Sequence, residues 1–209
     1  MTDSSDRLVL VAGELHDLSG PDPEWPGGQG TLFHQPGAPL PARPDVAAII
    51  PLVSQQVGNA ELSGLPSLRV VANYAVGYDN VDVAAATELG IVVTNTPDVL
   101  TNATADFAFT LLLATARRLG ESERMLRAGQ WSGWAPNLLL GHELSGRRLG
   151  IIGAGRIGQA VLRRARGFDM ELCYSGPRGS AGAEALGAQR MEISQLLAES
   201  DFVSLHCPL

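Results

Sequence analysis

The sequence contains only two cysteines in 209 residues, Cys173 and Cys207. A disulfide framework or a structural zinc site needs more cysteines at characteristic spacings, so neither is indicated. Both thiols stand in or beside apolar runs and are read as reduced, as in a cytoplasmic protein. Basic clusters are lacking too: 15 Lys and Arg are scattered against 22 Asp and Glu, leaving a net charge of −7. A nucleic-acid surface needs clustered cations, so that class is set aside. No apolar run is long enough for a membrane span. The longest, over 107–116, is interrupted by Thr110 and Thr115 and followed by Arg117 and Arg118, short of the roughly 18–20 residues that cross a bilayer. It reads as a buried helix. The opening residues, Met1-Thr-Asp-Ser-Ser-Asp, are polar and acidic, unlike a signal peptide. Internal repeats are not seen.

What is present is a globular balance of 45% hydrophobic and 18% charged residues, enough apolar matter for a core. Runs of β-favouring residues predict strands over 7–12, 46–53, 68–73 and 91–94. The stretch 13–44 is so rich in Gly and Pro that only a short strand near 31–34 is expected within it. Asp82 is expected to cap a helix over 83–89, closed by Gly90. A long helix over 101–119, capped by Thr101 or Asn102, ends in Arg117 and Arg118, where cations suit a helix C-terminus. A shorter helix covers 121–128. The pattern then restarts: strand 149–152, helix 156–166, strand 171–174, helix 193–198, strand 202–205. Such alternation predicts an α/β architecture with largely parallel sheets.

Between the strand at 149–152 and the helix that follows stands Gly153-Ala-Gly-Arg-Ile-Gly158. A GxGxxG alone is a weak signal, but in a strand–turn–helix unit that returns to a second strand about 20 residues later it points to dinucleotide binding. Gly153 suits the tight turn, Gly155 admits a pyrophosphate, and Gly158 lets the helix pack close to the strand. The amides of Arg156 and Ile157 would face the phosphates from the positive end of the helix. The plainer alternative is a glycine-rich turn with no ligand. At the end of the second strand an NAD site places a carboxylate for the adenosine ribose. Here the chain reads Cys173-Tyr-Ser-Gly-Pro-Arg178, with Glu171 at the strand's start. Ser175 and Arg178 could hold a 2′-phosphate, since a guanidinium binds phosphate in bidentate fashion. NADP is favoured over NAD, and the alternative for Arg178 is a solvated loop arginine.

With these residues in view, the sequence resembles the D-isomer-specific 2-hydroxyacid dehydrogenases, in particular the glyoxylate/hydroxypyruvate reductase branch. The resemblance runs from Val46 to Leu209. It is carried by Val71-Ala-Asn-Tyr-Ala-Val-Gly-Tyr-Asp-Asn-Val-Asp82, Val93-Thr-Asn-Thr-Pro97, Thr104-Ala-Asp106, Trp131-Ser-Gly-Trp134, the glycine segment 149–158, and Asp201-Phe-Val-Ser-Leu-His-Cys-Pro-Leu209. It implies a parallel-sheet, flavodoxin-like substrate domain over 1–98 and an incomplete Rossmann (doubly wound) dinucleotide-binding domain over 99–209, its first half only. The implied reaction is reduction of a small 2-keto acid to the 2-hydroxy acid with NAD(P)H. The loop bearing Val76 and Gly77 would offer amides to the substrate carboxylate, as a glycine-containing turn can form an anion nest. The alternative is that Gly77 serves only the turn. Thr104 would lie near the nicotinamide side, while Cys207 and Pro208 would flank the adenosine end. Trp131 and Trp134 read as packing or dimer contacts, and a homodimer in the cytoplasm is usual for the family.

The resemblance also implies a further stretch of roughly a hundred residues that supplies a catalytic Arg, Glu and His. None has a counterpart here, and none of His16, His34, His142 and His206 is assigned catalysis. The stretch up to Pro44 departs from the family's strand–helix–strand opening, so a first crossover helix is expected to be missing or degraded. With half a doubly wound sheet, the strand at 149–152 is expected to be an open apolar edge, a template for aggregation. The 209 residues alone are then expected to be poorly soluble or oligomeric and inactive as a reductase. A competing reading is a non-catalytic dinucleotide-binding or regulatory module, or a gene remnant.

Overall fold

The structure, a computed structural model, describes residues 8–15, 31–35 and 38–207. They fall into two compact units, Met1–Val99 and Leu100–Leu209, both α/β with parallel sheets.

In the first unit β1 (Leu8–Ala12), β2 (Thr31–His34), β3 (Val46–Ile50), β4 (Val70–Ala72) and β5 (Val92–Thr94) pair in parallel in the order β2-β1-β3-β4-β5. This is one of the two common doubly wound strand orders. Alternation along the strands fills both faces. Leu10, Ile49 and Val71 bury on one side with Val57, Leu62, Leu65 and Leu68, and Val11 buries on the other with Leu15. β3 stops at Ile50 rather than at residue 53, because Pro51 has no N–H to continue a ladder. A helix absent from the sequence reading, α1 (Asn59–Ser63), follows β3. Its five residues are too few to display an apolar period, and it is fixed instead by the Gly58 N–H donating to Glu61 Oε2 at 3.0 Å. α2 (Val83–Glu88) starts as expected, with Asp82 Oδ1 accepting from the Ala85 N–H at 3.0 Å. The expected loss of a first crossover helix concerns residues 16–30, which lie outside the described residues.

The second unit opens with α3 (Thr101–Ala116) and α4 (Leu119–Arg127). Neither Thr101 nor Asn102 caps α3; its N-cap is Leu100, which makes no side-chain cap bond. The helix ends earlier than expected because Arg118 turns left-handed, with φ 54°. Its guanidinium grips Glu121 (2.8 and 2.7 Å) and the Leu140 carbonyl (3.1 Å), which offsets the strain of that conformation. Then follow β6 (Arg148–Ile152), α5 (Arg156–Arg166), β7 (Glu171–Ser175), α6 (Ala181–Glu184), β8 (Gln189–Arg190), α7 (Ile193–Glu199) and β9 (Phe202–Leu205). The parallel sheet runs β8-β7-β6-β9.

This order corrects two expectations. The strand at 202–205 is not third in line from β6; the two-residue β8, both residues exposed, takes that place. β9 crosses to the free side of β6, so Leu149–Ile152 is paired on both flanks and is not an open edge. The expected aggregation at that edge loses its basis. The difference arises because β8 carries no apolar signal, whereas 202–205 reads strongly as a strand. β6 is the centre of the core. Leu149, Ile151 and Tyr174 lie under α3 and α5, packed by Phe109, Ala160, Val161, Leu162 and Ala165. Among the described residues no helix is long and apolar enough to cross a membrane.

Gly150 shows how closely α7 sits on β6. A Cβ there would lie 2.5 Å from Ser200 Oγ and 2.6 Å from Leu196 Cδ2. Gly150→Val should therefore destabilise the protein by about 1–3 kcal/mol, lowering the thermal midpoint by several degrees. A midpoint equal to the wild type's would mean that α7 is not seated against this strand.

Candidate functional site

Ile152 ends β6 and Arg156 begins α5, so residues 153–155 make the whole turn. The three glycines of this segment have different physical roles. Gly153 has φ +95°, and a Cβ on it would lie 2.5 Å from the His206 carbonyl oxygen and 2.8 Å from the Cys207 nitrogen. A Cβ on Gly158 would run into the Gly153 carbonyl oxygen and come within 3.0 Å of Ile151 Cγ2. Gly155, the N-cap of α5, has nothing within 4 Å of the same position. Two glycines let chain approach chain, and the third leaves open space over a helix N-terminus. First-turn N–H groups lack intrahelical acceptors and carry the positive end of the helix. Gly155, Arg156 and Ile157 are thus the residues that could hold a pyrophosphate.

The Ala154 carbonyl is turned back into the protein, accepting from Gln159 Nε2 and from Ser180 Oγ, each at 3.0 Å. In a trans peptide the next N–H points the opposite way, so the Gly155 amide faces outward. The segment leaving β7 is tied to the same turn. The Ser175 carbonyl accepts from the Gly153 N–H at 2.9 Å, and the Ser180 N–H donates to the Tyr174 hydroxyl at 2.8 Å. That hydroxyl donates in turn to Glu184 Oε1 at 2.7 Å. Tyr174 is 0% exposed. Burial, and then the Glu184 carboxylate, push its pKa up, so the hydroxyl keeps its proton and stays a donor.

Ser175 and Arg178 stand at this turn, their side chains free of hydrogen bonds among the described residues. Arg190, which sequence reasoning passed over, joins them by donating from Nη2 to the Gly176 carbonyl at 3.2 Å. Glu171 is far from the turn, at the opposite end of β7, paired with Arg148 at 2.7 Å. Cys207 is exposed and lies beside Gly153, while Pro208 lies outside the described residues. The glycines, Ser175, Arg178 and Cys207 thus gather at the carboxyl ends of β6, β7 and β9. Such a crevice is where open α/β sheets bind ligands. Thr104 is apart from this cluster, exposed on α3 and lining a cavity of about 420 Å³ with Phe107, Leu111, Val203 and His206. His206 Nε2 lies 2.9 Å from Ser204 Oγ, and partial burial lowers the imidazole pKa. Among the described residues no group of three His, Cys, Asp or Glu side chains is placed to hold a metal ion.

Val76 and Gly77 lie in the first unit, in the loop between β4 and α2. The Val76 carbonyl accepts from Asn95 Nδ2 at 2.8 Å, and the Gly77 carbonyl from Asn73 Nδ2 at 2.8 Å. By the same peptide geometry, the N–H groups of Gly77 and Tyr78 point away from those anchors. Among the described residues neither donates a hydrogen bond. Beneath the loop Asn73 and Asn80, 1% and 4% exposed, exchange reciprocal amide bonds of 3.1 and 3.0 Å. Asn80 Nδ2 also donates to the carbonyls of Leu52 and Gln55, at 3.2 and 3.0 Å. These three asparagines hold the loop in place, a part that sequence reasoning missed. The available signal was an amide side chain closing the otherwise apolar run at 68–73.

Residues 109–209 match the sequence profile described as "D-isomer specific 2-hydroxyacid dehydrogenase, NAD binding domain". A glyoxylate reductase of Thermococcus gammatolerans is 55% identical over 170 residues, 79% of this chain and 51% of the relative. One from Pyrococcus furiosus is 52% identical over 170 residues, with the same coverage. The chain spans about half the length of the curated relatives it matches. Among solved structures, the TT0316 protein from Thermus thermophilus superposes with a TM-score of 0.80 at 40% identity, covering 96% of this chain and 65% of that one. A glyoxylate reductase from Paecilomyes thermophila gives 0.77 at 30% identity, covering 98% and 66%.

Two outcomes follow from the site's geometry. Gly155→Ala should leave the thermal midpoint close to wild type yet weaken NAD(P)H binding in a fluorescence titration, whereas Gly158→Ala should lower the midpoint itself. Equal midpoints for the two variants would contradict the difference in space around them. His206 has a folded-state pKa below its unfolded value near 6.5. The unfolded chain therefore takes up the proton first, and the stability His206 contributes is present above about pH 6.5 and lost as pH falls through the lower folded value. His206→Gln should flatten the acid limb of a midpoint-versus-pH curve; an unchanged limb would assign that loss to other groups.

Proposed function

We propose, on the match of residues 109–209 to the NAD binding domain of the D-isomer specific 2-hydroxyacid dehydrogenases, that this chain belongs to that family and serves the NADPH-dependent reduction of a small 2-keto acid, glyoxylate or hydroxypyruvate, to the 2-hydroxy acid. The observation that carries this reading is the open space over Gly155 at the start of α5. The dinucleotide supplies the hydride. The residues of this chain bind and orient. Gly155, Arg156 and Ile157 hold the pyrophosphate, with Gly153 and Gly158 fixing the turn beneath it. Thr104 serves the nicotinamide side, and Cys207 with Pro208 the adenosine side. The outward amides of Gly77 and Tyr78, beside Val76, hold the substrate carboxylate.

NADP is preferred to NAD because Ser175 and Arg178 present uncommitted donors at the end of β7, with Arg190 close by. NAD remains the second choice of cofactor. No residue of this sequence is assigned proton donation, so by this reading the 209 residues bind the dinucleotide without themselves reducing glyoxylate. Trp131 and Trp134, 57% and 84% exposed, support a homodimer contact, and we place the protein in the cytoplasm.

Titration of the 209-residue chain with NADPH and NADH tests the reading, with glyoxylate and hydroxypyruvate turnover assayed in parallel. Tighter binding of NADPH is expected. Arg178→Ala should weaken NADPH by about tenfold or more, the worth of a charge-assisted hydrogen bond, and leave NADH unchanged. A chain that binds neither dinucleotide would refute the assignment. Turnover by these residues alone would overturn the statement that they lack a proton donor.

A further inference from the structure

The turn that would meet the adenosine ribose is held by side chains that need touch no ligand. Ser180 is the junction. Its N–H donates to the Tyr174 hydroxyl at 2.8 Å, and its Oγ donates to the Ala154 carbonyl at 3.0 Å and accepts from Gln159 Nε2 at 3.1 Å. The turn bearing Ser175 and Arg178 is therefore closed at its far end onto the backbone of the glycine segment. Tyr174 supplies the rigid part. Its ring is fully buried in the core beneath α5, and its hydroxyl reaches out to receive the Ser180 N–H. Glu184 fixes the hydroxyl's direction by accepting its proton at 2.7 Å. The same contact engages an oxygen of a carboxylate that lies beside the turn, 3.6 Å from where a Cβ on Gly179 would stand. Among the described residues neither of the turn's cations, Arg178 and Arg190, is seen in an ion pair with a carboxylate, Glu184 included.

We propose that Tyr174, Ser180 and Glu184 are positioning residues for cofactor choice: they set the turn 175–180 at the height where Arg178 reaches a 2′-phosphate, and they hold Glu184 away from a free ribose 2′-hydroxyl. This rests on the NADP reading above. The network selects between dinucleotides by placing a cation and withholding an anion, and it leaves the pyrophosphate contacts the two cofactors share untouched. A merely structural role would weaken both cofactors alike.

The test compares NADPH and NADH dissociation constants, with 2′-AMP and 5′-AMP as probes of the ribose end, for wild type, Tyr174→Phe, Glu184→Ala, Glu184→Gln and Arg178→Ala. Tyr174→Phe keeps the buried ring. It should weaken NADPH and 2′-AMP about fivefold, the worth of one or two neutral hydrogen bonds, while NADH stays within about twofold. Glu184→Ala should behave likewise and, by freeing the hydroxyl, needs no change in the core. Glu184→Gln keeps an acceptor oxygen and should retain most of the wild-type preference. The inference is overturned if Tyr174→Phe and Glu184→Ala weaken both cofactors equally, or leave NADPH unaffected while Arg178→Ala weakens it. A wild type that binds NADH more tightly, and is indifferent to Arg178→Ala, removes the NADP reading and this inference together.

Discussion

The second unit depends on the missing side chain at Gly153. The chain leaving β9 presses on the turn leaving β6 so closely that the His206 carbonyl and the Cys207 nitrogen occupy the space a Cβ would need. That contact lets β9 pair along β6 up to Leu205, with the His206 N–H closing onto the Ile152 carbonyl at 2.7 Å. The carboxyl ends of β6, β7 and β9 then lie together, and the helix N-terminus of α5 opens on the crevice they form. A side chain at this one position would separate the strands and the phosphate cradle at once.

The first unit meets a comparable demand by different means. Amide groups can be presented to an anion only if their own carbonyls are satisfied elsewhere, because a buried unpaired carbonyl is costly. Asn95 and Asn73 do this for Val76 and Gly77, and Asn80 braces Asn73 from below. The second unit does the same at the phosphate turn, where Gln159 and Ser180 hold the Ala154 carbonyl. In both places the outward amide is a consequence of a side chain acting on the other face of the peptide.

The legible parts were those written in local chemistry. The strand–glycine–helix unit, the α/β class and the Asp82 cap follow from residues adjacent in the chain. What escaped were contacts between residues far apart in sequence and elements too short to carry a period. Asn80 braces Leu52 from 28 positions away, and nothing near either residue announces it. β8 has two exposed residues and exists because β7 offers it a free flank. The side of β6 taken by β9 is a property of the topology, so the open edge expected at Leu149–Ile152 could not be corrected from the run itself. Arg190 and Ser180 come to the turn after β7 through tertiary closure. Ser175 and Arg178 were visible only because one ends β7 and the other follows it closely.

The reciprocal bond between Asn73 and Asn80 has a consequence for how such sequences can change. Each amide is buried, and each donates to the other, so replacing one alone leaves the second's Oδ1 without its donor, although its Nδ2 keeps the backbone carbonyls it also holds. Both must be exchanged together for an apolar pair of matching volume, and that exchange would also release the carbonyls of Leu52, Gln55 and Gly77. The two positions therefore behave as a single inherited character. Lineages that keep the loop should keep both asparagines, and any that lose one should be found to have rebuilt the loop as a whole.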